Sequence, residues 1–577
     1  MNAAVKPFGR KLKTSTLWIL ASLGLVIFVF LQVLPTTVSE SLQVEQTKNI
    51  ISKDEAKQSA ANFMESILGI SGNLNENLVT YETYSEVYGY LSKEKLMESY
   101  LKTYDKQFPL ELFRVRFENP DEIHSAVTVD VHMTTGQVVG FEKIASASNS
   151  TKDLMLELSS ESSSTTLMAK AREGNLSLEE KDALATPYLK SFGFTRDKLI
   201  LASEEEEIGI QYQLQDNEIG KSKGFIDIRF EFGAVSSMET YFSTPESHID
   251  YVDAQTRLAY WLTFGGYALF TLVLGILAIV FSAKTRPHSS FKRGIFLSSL
   301  YFILSIIGAI NMLPYLQKEG VDPIFLIIGF LVQGILTLTM AASVYFSLVG
   351  GDGLLKKNGL NLWARSKEPG YGRHVLTSMA DGYAWAFILL GLQSIIFVIL
   401  DKTIHFWSTS DATQSPYNLL YPLLFPLLAW VAGIGEEAVY RLFGIPMLKK
   451  IVRNTFVASL ITTMIWAFGH TLYPIYPVIT RPIELGIIGL LFSFIFLRYG
   501  FIAAVFSHVI FDSILMALSL IFMGGSINLV AGLFYIILPA IVAYVIYLFN
   551  PPGKERRTPL IQKREEPLIT TPHPEGH

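Results

Sequence analysis

Six ionisable residues sit inside stretches that are otherwise apolar enough to cross a membrane. Glu436, Glu437 and Arg441 fall in Gly435-Glu436-Glu437-Ala438-Val439-Tyr440-Arg441, His470 ends Trp466-Ala467-Phe468-Gly469-His470, and His508 and Asp512 bound His508-Val509-Ile510-Phe511-Asp512. A charge at bilayer depth is costly and faces the protein interior or a wet cavity, so each of these residues needs a reason. On a helix, Glu437 and Arg441 are four apart and share a face, as do His508 and Asp512, while Glu436 points about 100° away from Glu437. One glutamate can therefore be neutralised locally while its neighbour stays free. At ~1.5 Å of rise per residue, Glu436 lies about 20 Å from Lys449, His470 about 24 Å from Asn454 and His508 about 15 Å from Arg498. The three side chains are thus expected to converge near mid-membrane, with His470 outermost.

A carboxylate and an imidazole that share one water form a general base able to generate a hydroxide-like nucleophile. A second imidazole with a hydrogen-bonding partner could stabilise the oxyanion of a tetrahedral intermediate, which together amounts to peptide-bond hydrolysis in the plane of the membrane. No cofactor is required for that chemistry, but Glu436, His470 and His508 could instead hold Zn²⁺ with an open water position. Taken alone, Glu437 and Arg441 read as a structural buried pair. Two other classes use the same residue types. A proton-coupled transporter also needs mid-membrane carboxylates and histidines, and Pro422, Pro426 and Gly433 could break its helix, although no inverted repeat of the motif helix occurs elsewhere. A non-catalytic membrane sensor or immunity protein would leave binding to a ligand-recognising outer domain.

The elements that must position these residues are legible in the distribution of apolar residues. The chain has 577 residues, 50% apolar and 17% charged, with net charge −5 and a mean hydropathy of +0.34. That balance argues against a purely soluble enzyme, and nothing in it points to nucleic acid. There are no cysteines, which removes disulfides, thiolate metal sites and cysteine nucleophiles. Lys6, Arg10, Lys11 and Lys13 precede the apolar run Leu17 to Leu34, which has no small-residue cleavage site after it and reads as an uncleaved anchor. Nine further apolar segments follow, at about 258–282, 294–313, 323–349, 379–400, 419–447, 455–473, 483–497, 501–523 and 527–549. Alternate connections are rich in Lys and Arg, and the intervening ones hold one cation each, Lys318, Lys402 and Arg481. That alternation predicts a mainly α, polytopic protein of about ten transmembrane helices with both termini cytoplasmic.

The polar stretch 38–256 is then an extracytoplasmic α+β domain inserted between helices 1 and 2. It contains a possible duplication, 38–145 and 167–256. Ile51-Ser52-Lys53-Asp54-Glu55 and Leu176-Ser177-Leu178-Glu179-Glu180 each open a helix with a capping box, and each unit closes on an alternating strand and a glycine turn. The two units resemble PepSY modules, joined by a Ser/Thr-rich linker over 146–166. The expected organisation is 1–37 cytoplasmic N-terminus and anchor, 38–256 outer domain, 257–401 helices 2–5, 402–550 the core that carries the chemistry, and 551–577 a cytoplasmic tail.

The ordered trio of motifs resembles the CPBP family, which comprises membrane-embedded type II CAAX prenyl endopeptidases and bacterial ABI proteins of bacteriocin processing and self-immunity. The family pattern is EExxxR, then FxxxH, then HxxxN or HxxxD. Here Glu436-Glu437-x-x-x-Arg441 matches in full, Trp466-x-x-x-His470 has Trp for Phe, and His508-x-x-x-Asp512 follows Arg498-Tyr499-Gly500 and Ser507. The resemblance covers roughly residues 420–520. It implies an intramembrane endopeptidase in which Glu436 and His470 activate water, His508 and Asp512 bind the oxyanion or orient the catalytic groups, and Glu437 with Arg441 hold the site together. An ionised carboxylate cannot donate to an oxyanion, so Asp512 is expected to be protonated or to orient and charge His508. Trp466 is expected to alter packing alone. The partners implied are a peptide or membrane-protein substrate and membrane lipids.

Other polar positions carry less. Asp381 is expected at the membrane interface, and His124 and His132 at the surface of the outer domain. Gly350-Gly351-Asp352-Gly353 lacks the Lys-Ser/Thr of a phosphate-binding loop. The basic C-terminal tail reads as a topology signal or a lipid-headgroup contact.

Overall fold

The computed structural model describes residues 11–34, 50–72, 74–146, 176–205, 209–231, 233–318 and 320–551. Most of the Ser/Thr-rich linker, the first ten residues and the basic tail from 552 onward lie outside the described residues. The first apolar run forms helix α1, Thr14–Val33, whose last turns widen to π-helical geometry over Val29–Val33.

Between α1 and the remaining apolar helices stands a sheet domain. In chain order it comprises α2 (Lys53–Phe63), β1 (Asn77–Thr83), α3 (Ser85–Glu94), β2 (Glu111–Glu118), β3 (His124–His132), β4 (Val138–Ala145), α4 (Leu178–Ser191), β5 (Leu199–Glu205), β6 (Gly209–Ile219), β7 (Ser222–Glu231) and β8 (Ala234–Phe242). Both capping boxes form: Glu55 accepts from the Ser52 backbone N–H at 2.7 Å, and Glu180 from that of Ser177 at 2.9 Å. The two helix-plus-four-strand units fuse into one eight-stranded antiparallel sheet of order β1-β2-β3-β4-β8-β7-β6-β5. The seam pairs the last strand of each unit, Phe141 with Met238 and Glu142 with Ser237. Alternation puts Val115, Phe117, Val129, Ile226, Ile228 and Met238 into one core, with Ala56, Ala60 and Ala185 from α2 and α4. The opposite face is polar, and there Arg114 grips Asp130 through two bonds of 2.7 Å. His132 departs from expectation: it is 2% exposed, because β3 is paired on both edges and the ring is held by the Thr134 backbone N–H and lies 3.5 Å from Asp105.

The rest of the chain is a helical bundle: α5 (Glu246–Lys284), α6 (Arg293–Asn311), α7 (Pro323–Lys357), α8 (Tyr371–Ile404), α9 (Pro422–Val452), α10 (Thr455–Phe468), α11 (Thr480–Tyr499), α12 (Phe501–Phe522) and α13 (Ser526–Phe549). Among the described residues nine helices, all of these with α1 except α10, are long and apolar enough to cross a membrane, so this is a multi-pass membrane protein. Helix α10 has 14 residues, about 21 Å of rise and too short to span. It stops at Phe468, so His470, expected within a helical segment, sits instead in the turn beyond it.

Helix α5 leaves the sheet domain at Glu246 and ends at Lys284, which gives the bundle a sheet end and a basic end. Lys356, Lys357, Lys449, Lys450 and Arg498 close α7, α9 and α11 at the basic end. At the sheet end the domain is bolted down. Asn418 bonds both the N–H and the C=O of Tyr81, at 2.7 and 2.8 Å, and Lys318 lies 3.1 Å from Glu82. A short strand pair, β9 (Trp407–Ser408) with β10 (Ile475–Tyr476), lies at the same end, and His248 and Tyr251 of α5 pack on Trp407. The glycine-rich run in α7 serves packing: a Cβ on Gly351 would meet the backbone carbon of Leu442 at 2.8 Å, so the glycine lets α7 close onto α9.

Candidate active site

Helix α9 places the two glutamates. Small residues permit it: a Cβ at Gly433 would strike Val509 of α12 at 2.6 Å. From Glu437 to Gly444 the turns widen to π-helical geometry, a local departure that recurs at functional sites. The expected Glu437–Arg441 pair forms at 3.0 Å with both side chains fully buried. Arg441 also reaches the Gly489 carbonyl at 3.4 Å, and its guanidinium lies over the rings of Trp466 and Phe492 at 4.5 and 5.4 Å. Glu436, on the adjacent face, keeps 26% side-chain exposure against 0% for Glu437, the division of roles that helical geometry predicts.

His508 lies between the two glutamates. Its Nδ1 is 2.9 Å from Glu437 Oε1, and since a carboxylate can only accept, that nitrogen carries the proton. Its Nε2 is 3.7 Å from Glu436 Oε2 and 3.4 Å from Asp512 Oδ2. The ring is stacked on Phe492, with centroids 4.5 Å apart. His470 approaches from the turn after α10. Its Nδ1 is 3.0 Å from the Trp466 carbonyl, which fixes the ring and leaves Nε2 4.0 Å from Glu436 Oε1. Both Nε2 distances to Glu436 exceed a direct hydrogen bond and suit a shared water. Glu436, His470, His508 and Asp512 are thus brought together, with Glu437 and Arg441 behind them. Among the described residues no group of three His, Asp or Glu side chains is placed so that it could hold a metal ion.

Two contributions escaped the sequence. The Trp466 indole N–H donates a short hydrogen bond to Glu436 Oε2, so Trp in place of Phe changes polarity as well as packing. Arg481, read as a loop cation, opens α11 and pairs with fully buried Glu484 at 2.6 Å, and Gln393 donates to the other Glu484 oxygen at 2.6 Å. Their signal was Glu484 itself, a carboxylate three residues past Arg481 in an apolar helix.

These groups open onto a cavity of about 400 Å³, whose wall includes Glu436, His470, His508, Asp512, Gln393 and Arg481. Residues 418–514 match the family model described as type II CAAX prenyl endopeptidase Rce1-like. Over 526 residues the chain is 22% identical to the sporulation-killing factor biosynthesis protein SkfC of Bacillus subtilis (strain 168), an alignment covering 87% of this chain and 94% of that protein. No solved structure matches. Glu436, Trp466, His470, His508 and Asp512 of the three motifs line one cavity, and all of them lie within residues 418–514, the stretch of this multi-pass membrane protein that is similar to Rce1-like type II CAAX prenyl endopeptidases.

Proposed function

We propose that the protein hydrolyses a peptide bond within the bilayer by means of a water activated by Glu436 and His470. The observation that carries this reading is the meeting of Glu436 with both histidine Nε2 atoms, at 3.7 and 4.0 Å, on the wall of one cavity. A water between Glu436 and His470 loses a proton to that pair as its oxygen attacks the peptide carbonyl carbon. The carbonyl oxygen becomes an oxyanion, which His508 meets through Nε2–H while Glu437 anchors Nδ1 and Asp512 favours the proton on Nε2. Collapse of the intermediate breaks the C–N bond, and the proton held by Glu436 or His470 passes to the leaving amine. Trp466 holds the Glu436 carboxylate in place through its N–H. By this reading Asp512 is a positioning residue.

The starts of α1, α6 and α8 and the end of α13 share the basic end, and the positive-inside bias puts that end in the cytoplasm and the sheet domain outside. The likeness to a sporulation-killing factor biosynthesis protein makes the precursor of such a factor the first substrate to try. The test is cleavage of a peptide library by detergent-purified wild type, Glu436→Ala and His470→Ala. Wild-type cleavage lost in both variants is expected; cleavage that survives both would end this mechanism.

A further inference from the structure

The cavity runs from Glu436, Phe492 and His508 at mid-bundle toward the sheet end. Its walls come from the sheet-end portions of five helices: Phe28 and Gln32 late in α1, Gln393 and Phe397 late in α8, Phe425 early in α9, Arg481 early in α11, and Leu515 to Phe522 late in α12. Toward the basic end the same helices are packed solid. Trp385 meets Phe494 and Tyr499 with centroids 5.7 Å away in each case, and Trp363 meets Phe501 at 5.2 Å. Arg441 and Phe496 fill the level beneath the glutamates at 0% exposure.

The sheet-end half also holds the polar groups that an entering main chain could use. Gln32, Gln393 and Arg481 share the wall, and Glu484 neutralises Arg481 so that the guanidinium can sit there without an uncompensated charge. Phe406 and Ile475 of the wall adjoin the β9–β10 clasp, where Trp407 stacks on Tyr476 at 4.5 Å. The sheet domain lies directly on that clasp: Thr409 donates to the Ser85 carbonyl, and a Cβ on Gly89 of α3 would meet the Trp407 ring at 2.7 Å.

We infer that substrate reaches Glu436 from the membrane face that bears the sheet domain, past the β9–β10 clasp, so that the substrate is a polypeptide segment exposed on that face rather than a chain end presented at the basic face. The inference concerns access to the site and draws on the proposed function only for what enters.

The chain has no native cysteine, so a single introduced thiol reports the route without background. Full-length protein in sealed vesicles, carrying Ser519→Cys or Ala432→Cys in the cavity wall, is treated with a sulfonated, membrane-impermeant maleimide. Exposed Glu246→Cys marks the sheet face and exposed Lys450→Cys the basic face. Both cavity thiols are expected to react at least about tenfold faster from the side that labels Glu246→Cys. Labelling from the Lys450→Cys side, or from neither side, would overturn the inference. Labelling does not depend on turnover, so absence of peptide cleavage would count against the hydrolase reading and leave this result intact.

Discussion

Two of the places where the membrane bundle buries charge are built on opposite plans. Around Asp352 one carboxylate faces three cations, Lys356 at 2.8 Å, Arg293 at 3.1 Å and Arg365 at 3.8 Å, and the carboxylate is 3% exposed. Around Glu436 the ratio reverses: Glu436, Glu437 and Asp512 surround His508, Arg441 serves Glu437, and Glu436 itself takes its hydrogen bond from a neutral indole. The first arrangement satisfies its charge and ties α6 and α7 to the loop after α7. The second leaves a carboxylate and two imidazoles incompletely paired beside a cavity. Incomplete pairing costs stability, and proteins retain it where those groups have work to do.

The largest effects should separate the two clusters. Glu436→Gln is expected to lower peptide cleavage by about 10²–10⁴-fold, the range for a lost general base, with no loss of thermal stability in detergent. Asp352→Asn should do the reverse, destabilising by about 3–5 kcal/mol because three cations lose their buried counter-charge, while turnover per folded molecule stays within a few fold. If Asp352→Asn abolished turnover without unfolding, the contrast would collapse.

Glu437→Gln joins the two behaviours. It strips the fully buried Arg441 of its partner and His508 of its Nδ1 anchor, so melting temperature and turnover should both fall, and Arg441→Met combined with it should restore more stability than activity. Trp466→Phe is smaller: a hydrogen bond to a charged group contributes about 1.5–3 kcal/mol to stability, so the melting temperature should fall modestly, and kcat should fall less than in Glu436→Gln because the carboxylate remains but is no longer held. The sheet domain supplies a third case, a cation with no ion-pair partner among the described residues. Burial pushes the Lys143 amine down to about 8 from 10.5, so below pH 8 the fold holds a charge that the unfolded chain holds more cheaply. Lys143→Met should therefore stabilise the protein by roughly 1–3 kcal/mol near neutral pH. Denaturation curves should show that gain shrinking between pH 8 and 10.5, where both states of the parent lose the proton.

The helix-borne chemistry was legible because periodicity and charge act locally. Glu437 and Arg441 had to share a face, and Ser52 with Glu55 and Ser177 with Glu180 had to cap their helices, whatever the tertiary fold. Contacts between elements far apart in the chain carry no such local signature. Two matched helix-plus-strand units were visible, but their fusion through β4 and β8 depends on which strand edges meet. His132 looked like a surface residue because nothing nearby in sequence reveals that β3 is paired on both sides. The Trp466 bond to Glu436 spans 30 residues and two helices, and the close approach of Gly469, just past α10, to the Tyr267 ring links segments about 200 residues apart in the chain.

The central claim, that Glu436 activates water rather than attacking the peptide itself, is tested most directly by a single turnover in ¹⁸O-water with enzyme in excess. The predicted result is one ¹⁸O in the new carboxylate of every product molecule and none in the peptide that contains Glu436. Heavy oxygen recovered in the Glu436 carboxylate, with unlabelled product, would show a covalent route and contradict the account.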